Sequence, residues 1–173
     1  MGKNITLTGM MGAGKTTIGK ILAKKLKYNF VDVDKLIEAT EGTSINLIFK
    51  NKSENYFREI ENDLTLSELK KNNSVISLGG GAFINNKIRK KAKKFSISFW
   101  LDVPIKELIK RLKKNKQRPL LFDKNNDEEV KRIYFDRKKI YNEADHRIKC
   151  DYLKSEEIVN IILSLYEKSR DKI

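Results

Sequence analysis

Nine residues near the amino terminus, Gly9-Met-Met-Gly-Ala-Gly-Lys15-Thr16-Thr17, constrain this chain more than any other feature. They match the spacing GxxxxGK[ST] and stand where that spacing has physical meaning. An apolar run, Ile5 to Thr8, precedes them, and a helical period follows in which Ile18, Ile21, Leu22 and Leu26 share one stripe while Lys24, Lys25 and Lys27 face out. Gly9, Gly12 and Gly14 open backbone conformations closed to other residues, so successive amide N–H groups can converge on phosphate oxygens. The helix amino terminus adds its positive dipole end. A loop of this kind holds nucleotide phosphates along Gly12, Ala13, Gly14, Lys15, Thr16 and Thr17. Lys15 reaches the β and γ phosphates and the Thr16 hydroxyl ligates Mg²⁺.

The rest of the chain agrees with such a setting. Short β-type runs recur at Phe30 to Val33, Ser74 to Leu78, Ser96 to Leu101 and Arg147 to Cys150, each beside a longer helical period. That alternation predicts an α/β fold in three layers, a five-stranded, mainly parallel sheet flanked by helices. A helix is expected from Pro104, with Ile105, Leu108, Ile109 and Leu112 inward, and another from Ser155. Periodicity stops between about 113 and 127, where KKNKQRPLLFDKNND is read either as a mobile lid over the site or as a surface connection. The 173 residues form one expected domain, with no internal repeat and no linker.

Lys and Arg number 37 against 23 Asp and Glu, a net charge of +14, which raises the question of nucleic acid. The lysines sit singly and in pairs on several helix-like stretches (Lys24, Lys25, Lys70, Lys71, Lys90, Lys91, Lys113, Lys114) and form no basic arm. A solvated surface accounts for them, and neither nucleic acid nor membrane is an expected partner. The lone Cys150 cannot close an internal disulfide, no apolar stretch has spanning length, and the cytoplasm is the expected location. His146 and Trp100 read as structural residues.

About twenty residues after the loop, Phe30-Val31-Asp32-Val33-Asp34 places two carboxylates at the carboxyl end of the second strand, where open parallel sheets bind ligands. The alternative for Asp34 is the N-cap of the helix that follows. Gly79-Gly80-Gly81 follows the third strand, Arg118-Pro119-Leu120-Leu121 lies in the aperiodic stretch, and Arg137 precedes Tyr141 by four residues. With the phosphate loop, this set resembles the shikimate kinase family in order and spacing from Gly9 to about Asp151.

The resemblance implies ATP and Mg²⁺, the metal held by Thr16 and Asp32, with Arg111 and Arg118 touching the nucleotide. It implies a small-molecule substrate, shikimate, gripped by Asp34, Arg58, the backbone of Gly79, Gly80 and Gly81, and Arg137. The helical region of about 34–62 would carry much of that grip. Lys15, Asp34 and Arg118 would be catalytic, with Asp34 as candidate base, and the protein would act as a monomer. The reaction implied is transfer of the ATP γ-phosphoryl to the 3-hydroxyl of shikimate. Another small-metabolite kinase, of gluconate type, or a nucleotide-binding module without turnover are the alternatives.

One assignment has independent support from the residues. In the helix expected from Glu128 to Asn142, Arg137 falls on the apolar stripe of Val130, Ile133, Tyr134 and Tyr141. An arginine aimed inward needs an anion, because an unpaired buried charge is costly. Asp34, Glu61 or Asp145 could supply it, as could a substrate carboxylate held bidentately. Arg58 lies beside, not on, the stripe of Phe57, Ile60 and Leu64, so ion pairing or solvation is its alternative. Surface charge is the alternative for Arg111 and Arg118, and a strand-ending turn for the glycine run.

Overall fold

The computed structural model describes residues 3–114 and 127–170. β1 (Asn4–Thr8) is buried along its whole length and leads through the glycine loop into α1 (Lys15–Leu26). β2 (Asn29–Asp32), β3 (Ser74–Ser77), β4 (Ser96–Asp102) and β5 (His146–Lys149) complete one five-stranded sheet in the order β2-β3-β1-β4-β5. Every pairing is parallel, and the register sets Leu7 of β1 against Ser77 and Phe99. The three central strands are buried throughout, whereas the edge strands β2 and β5 are partly exposed. That contrast follows from helices covering both faces of a parallel sheet while its edges meet solvent.

From β1 the chain moves to one side for β2 and β3 and to the other for β4 and β5. The connections therefore diverge at the carboxyl end of β1, and a crevice opens there. Below it Trp100, Phe99, Ile5 and Leu22 are at most 1% exposed. Each such side chain stabilises the fold by roughly 1.5–3 kcal/mol through burial.

Three helices follow β2, namely α2 (Val33–Glu41), α3 (Ile45–Asn51) and α4 (Glu54–Leu69), each opened by a side-chain cap from Asp32, Ser44 and Ser53 respectively. β2 thus ends at Asp32, one residue earlier than its sequence pattern suggests. The alternative reading of Asp34 as an N-cap is corrected, because Asp32 accepts from the Lys35 amide and Asp34 lies in the first helical turn. The two carboxylates therefore reach the crevice by helix geometry, not by strand alternation.

After the glycine run, a 3-10 turn (Ala82–Ile84) leads into α5 (Asn86–Phe95). α6 (Ile105–Lys114) follows β4, α7 (Asp127–Tyr141) precedes β5, and α8 (Ser155–Arg170) closes the chain against α1. α6 continues through Lys113 and Lys114, residues expected to be aperiodic. The remainder of the expected lid, 115–126, with Arg118 to Leu121, lies outside the described residues. His146 stacks on Phe99 and hydrogen-bonds Ser169, and Trp100 packs in the core under the Arg147 guanidinium, so both are structural. Cys150 lies just past β5, where burial pushes its thiol up to about 12. Among the described residues no helix is long and apolar enough to cross a membrane.

Candidate active site

The glycine loop has the backbone its sequence requires. Gly14 sits at φ +90° as the residue before α1, and Gly9 at φ +135° passes so close to β4 that a Cβ would fall 2.8 Å from the Leu101 carbonyl. Lys15 is buried, and its ammonium donates to the carbonyls of Gly9 at 2.8 Å and Met10 at 2.9 Å. It is thereby held across the loop that would receive phosphates. The Thr16 hydroxyl donates to Asp32 Oδ2 at 2.6 Å. These two hard oxygen atoms, from α1 and the end of β2, are thus adjacent. Among the described residues no cluster of three or more acidic, His or Cys side chains could cage a metal. Mg²⁺ suits such a place, since it commonly takes one or two protein oxygens and completes its shell with phosphate and water.

Arg111 projects from α6 toward the same loop. Its guanidinium donates to Glu107 at 2.9 Å and to the Gly12 carbonyl at 3.4 Å, while Leu112 beside it packs on Gly12. Arg111 is therefore both ion-paired on its own helix and placed at the phosphate loop.

A second group of side chains converges on the glycine run. A Cβ on Gly79 would fall 2.6 Å from Glu61 Oε1 and 2.7 Å from Asp34 Oδ1. On Gly81 it would fall 2.6 Å from Arg58 Nη1, and on Gly80 it would lie 3.4 Å from both Arg137 Nη1 and the Met11 amide. Only residues without a side chain let α2, α4 and α7 bring two carboxylates and two guanidinium groups to one stretch of backbone. Arg58, Glu61, Gly81 and Arg137 line a cavity of about 510 Å³ whose rim carries Glu54 and Asp136. Gly80 also approaches the phosphate loop through Met11, so the two groups form one site.

The electrostatics of this half rest on Glu61. The residue is 2% exposed, and among the described residues one of its carboxylate oxygens has no hydrogen-bond partner. Burial raises its pKa above the usual carboxylate value; Arg58 works against that shift, and the nearby Asp34 adds to it. Arg58 bonds Glu61 at 2.7 Å and Glu54 at 3.2 Å, so its ion-paired reading holds, yet the same guanidinium faces Gly81 in the cavity. For Arg137, Glu61 lies near enough for the positive charge to favour its carboxylate, whereas Asp145 accepts from Ser98.

Glu61 is the residue that sequence reasoning left out of the site. The apolar stripe read on α4, through Phe57, Ile60 and Leu64, is displaced, because the buried face runs Phe57, Glu61, Thr65 and Leu69. Ile60 and Leu64 are only half-buried. The available signal was Arg58 three residues before a second acid, which places both on one helix face.

Comparison with known proteins agrees with this arrangement. The family model for shikimate kinase matches residues 11–167. The shikimate kinase of Persephonella marina is 43% identical over 161 residues, spanning 93% of this chain and 97% of that protein. One from Clostridium botulinum is 44% identical, over 92% of this chain and 94% of its own. The structure of the Acinetobacter baumannii shikimate kinase in complex with shikimate superimposes with a TM-score of 0.92 at 30% identity, covering 98% of this chain and 96% of that one. A phosphate loop joined to a glycine run crowded by paired acids and arginines, with likeness of this extent, places the chain in the shikimate kinase family.

Proposed function

We propose that this protein transfers the γ-phosphoryl group of ATP to the 3-hydroxyl of shikimate, giving shikimate 3-phosphate and ADP, with the roles divided between the two halves of the crevice. The observation that carries this division is the meeting of Asp34, Glu61, Arg58 and Arg137 on Gly79 to Gly81, beside the loop that holds Lys15 and Thr16.

In this reading the loop amides from Gly12 to Thr17 bind the nucleotide phosphates, and Lys15 turns from the loop carbonyls onto the β and γ oxygens. Thr16 and Asp32 hold Mg²⁺, which when bound neutralises phosphate charge. Arg137 and Arg58 take the substrate carboxylate, the bidentate partner that planar guanidinium groups fit. Asp34 accepts the hydroxyl proton or orients that oxygen for in-line attack. Most of the acceleration then comes from position and charge neutralisation, the terms that dominate phosphoryl transfer. Arg118 and the lid around it are assigned to closure over the transferring group on the resemblance alone, as is Arg111 to the nucleotide side.

The test is Mg²⁺-dependent ADP release with shikimate, gluconate or AMP as acceptor, beside Asp34→Asn. Turnover with shikimate alone, lost in the variant, is the expected result. Release with another acceptor would remove the roles given to Arg58 and Arg137, and nucleotide binding without turnover would favour a regulatory module.

A further inference from the structure

Tyr141, the last residue of α7, is fully buried, and it meets both the glycine run and the phosphate loop. Its hydroxyl donates a short hydrogen bond to the Gly80 carbonyl, and lies 3.8 Å from the sulfur of Met10, inside the phosphate loop. Burial raises its pKa, and the positive charge of Arg137, one turn earlier on the same helix, works against that rise. A phenol has one proton and two lone pairs. The proton is committed to Gly80, so the lone pairs remain for the Arg137 guanidinium, whose Nη1 lies 3.4 Å from where a Gly80 Cβ would be.

We infer that Tyr141 is a positioning residue for the substrate grip, its hydroxyl setting the Gly80 carbonyl and the Arg137 guanidinium relative to each other. The inference rests on the shikimate kinase reading above. Gly80 has no side chain of its own to fix its peptide plane, and the Arg137 guanidinium needs its fork held if it is to grip a carboxylate. One hydroxyl between them does both. It should govern substrate affinity more than phosphate binding, because its contact with the phosphate loop is only a weak one to sulfur.

Tyr141→Phe keeps the ring and its packing against Trp100 and deletes only the hydroxyl. Steady-state kinetics should show the KM for shikimate rising roughly five- to tenfold, the size of one lost hydrogen bond. The KM for ATP and kcat should each stay within about twofold. Tyr28→Phe is the control, since it removes a comparable hydroxyl contact, 3.0 Å to Tyr166, at the other end of the molecule. It should lower Tm without moving either KM. A Tyr141→Phe enzyme that behaves like this control, or in which both KM values rise equally, would overturn the inference. A double-mutant cycle with Arg137→Lys gives a second decision, because effects on the shikimate KM should be non-additive if Tyr141 acts through Arg137 and additive if it does not. Wild-type turnover with shikimate is measured in the same series, so failure of the functional reading would be seen separately, as no shikimate-dependent ADP release by the parent enzyme.

Discussion

The nucleotide half of the site is a run of consecutive residues whose working atoms are mostly backbone amides, whereas the substrate half draws side chains from α2, α4 and α7 onto one glycine run. Amides cannot titrate and are oriented by the turn itself, so the first half needs little from the rest of the molecule. The second half depends on three helices keeping their distance from Gly79 to Gly81, and on Glu61 staying charged-compatible while 2% exposed. Local sequence therefore builds one half, and tertiary packing builds the other. Mutations should sort accordingly, with losses in chemistry at the loop and at Asp34, and losses in substrate affinity and stability elsewhere in the substrate half.

The largest effect expected is on the nucleotide side. Lys15→Met removes a buried cation held across the loop and should lower kcat by about 10²- to 10³-fold, the scale of losing one pre-positioned charge at a transferring group. Far-UV circular dichroism should match the parent. If kcat survives, the loop's role rests on its amides alone. Next comes Gly79→Ala, whose new methyl must displace Glu61 and Asp34 from contacts of 2.6 and 2.7 Å. We expect kcat/KM for shikimate to fall about 100-fold, the effect of misplacing a catalytic group by about 1 Å, with the KM for ATP nearly unchanged. Overpacking should also lower stability by about 1–3 kcal/mol in a denaturant titration. An equal loss on the ATP side would show that the two halves are not separable.

Those expectations explain which parts could be read in advance. The order of strands and helices and the phosphate loop follow from contiguous patterns and are seen at nearly the expected boundaries, whereas the pairing of Thr16 with Asp32 follows from the resemblance alone. The buried face of α4 differs from the stripe its spacing predicts, because apolarity alone does not mark burial beside a polar site. Glu61 on that face looks into the polar site, while Ile60 and Leu64 flank it. Arg58 was left open for a related reason, since its ion pairs and its place in the cavity depend on how far α4 stands from Gly81. Spacing along one helix does not give that distance. Arg137 was easier, because α7 is otherwise apolar on its inner stripe.

A smaller effect is expected at Arg89, which holds the turn after the glycine run. It donates to the carbonyls of Phe83 and Ile84, both at 3.0 Å, and bonds Glu143 at 2.9 Å, so it ties α5 to the turn and to the end of α7. Arg89→Ala leaves those two carbonyls without this donor, and should cost about 1–3 kcal/mol of stability. The KM for shikimate should rise a few-fold through movement of Gly81, with Arg89→Lys recovering part of both. Lost stability with an unchanged KM would mean that the substrate half tolerates movement of its support.

The smallest effect, and the one that bears most directly on the contrast between amides and charges, is the pH dependence of stability contributed by Glu61. Its pKa in the folded protein is raised above 4.5, chiefly by burial, although Arg58 and Arg137 oppose the shift and Asp34 adds to it. A raised folded pKa means that the folded state holds the proton more tightly than the unfolded chain does. The associated stability is then fully present below pH 4.5 and is lost as pH rises through the folded value. Glu61→Gln cannot titrate, so the stability of the variant minus that of the parent should climb as pH increases above 4.5 and then level off. Denaturant titrations across pH 4 to 8 measure this difference directly, and other carboxylates cancel in it. A difference that falls with pH would mean that the Arg58 ion pair outweighs desolvation, and the substrate half would then be held together by its charges instead of being assembled against their cost.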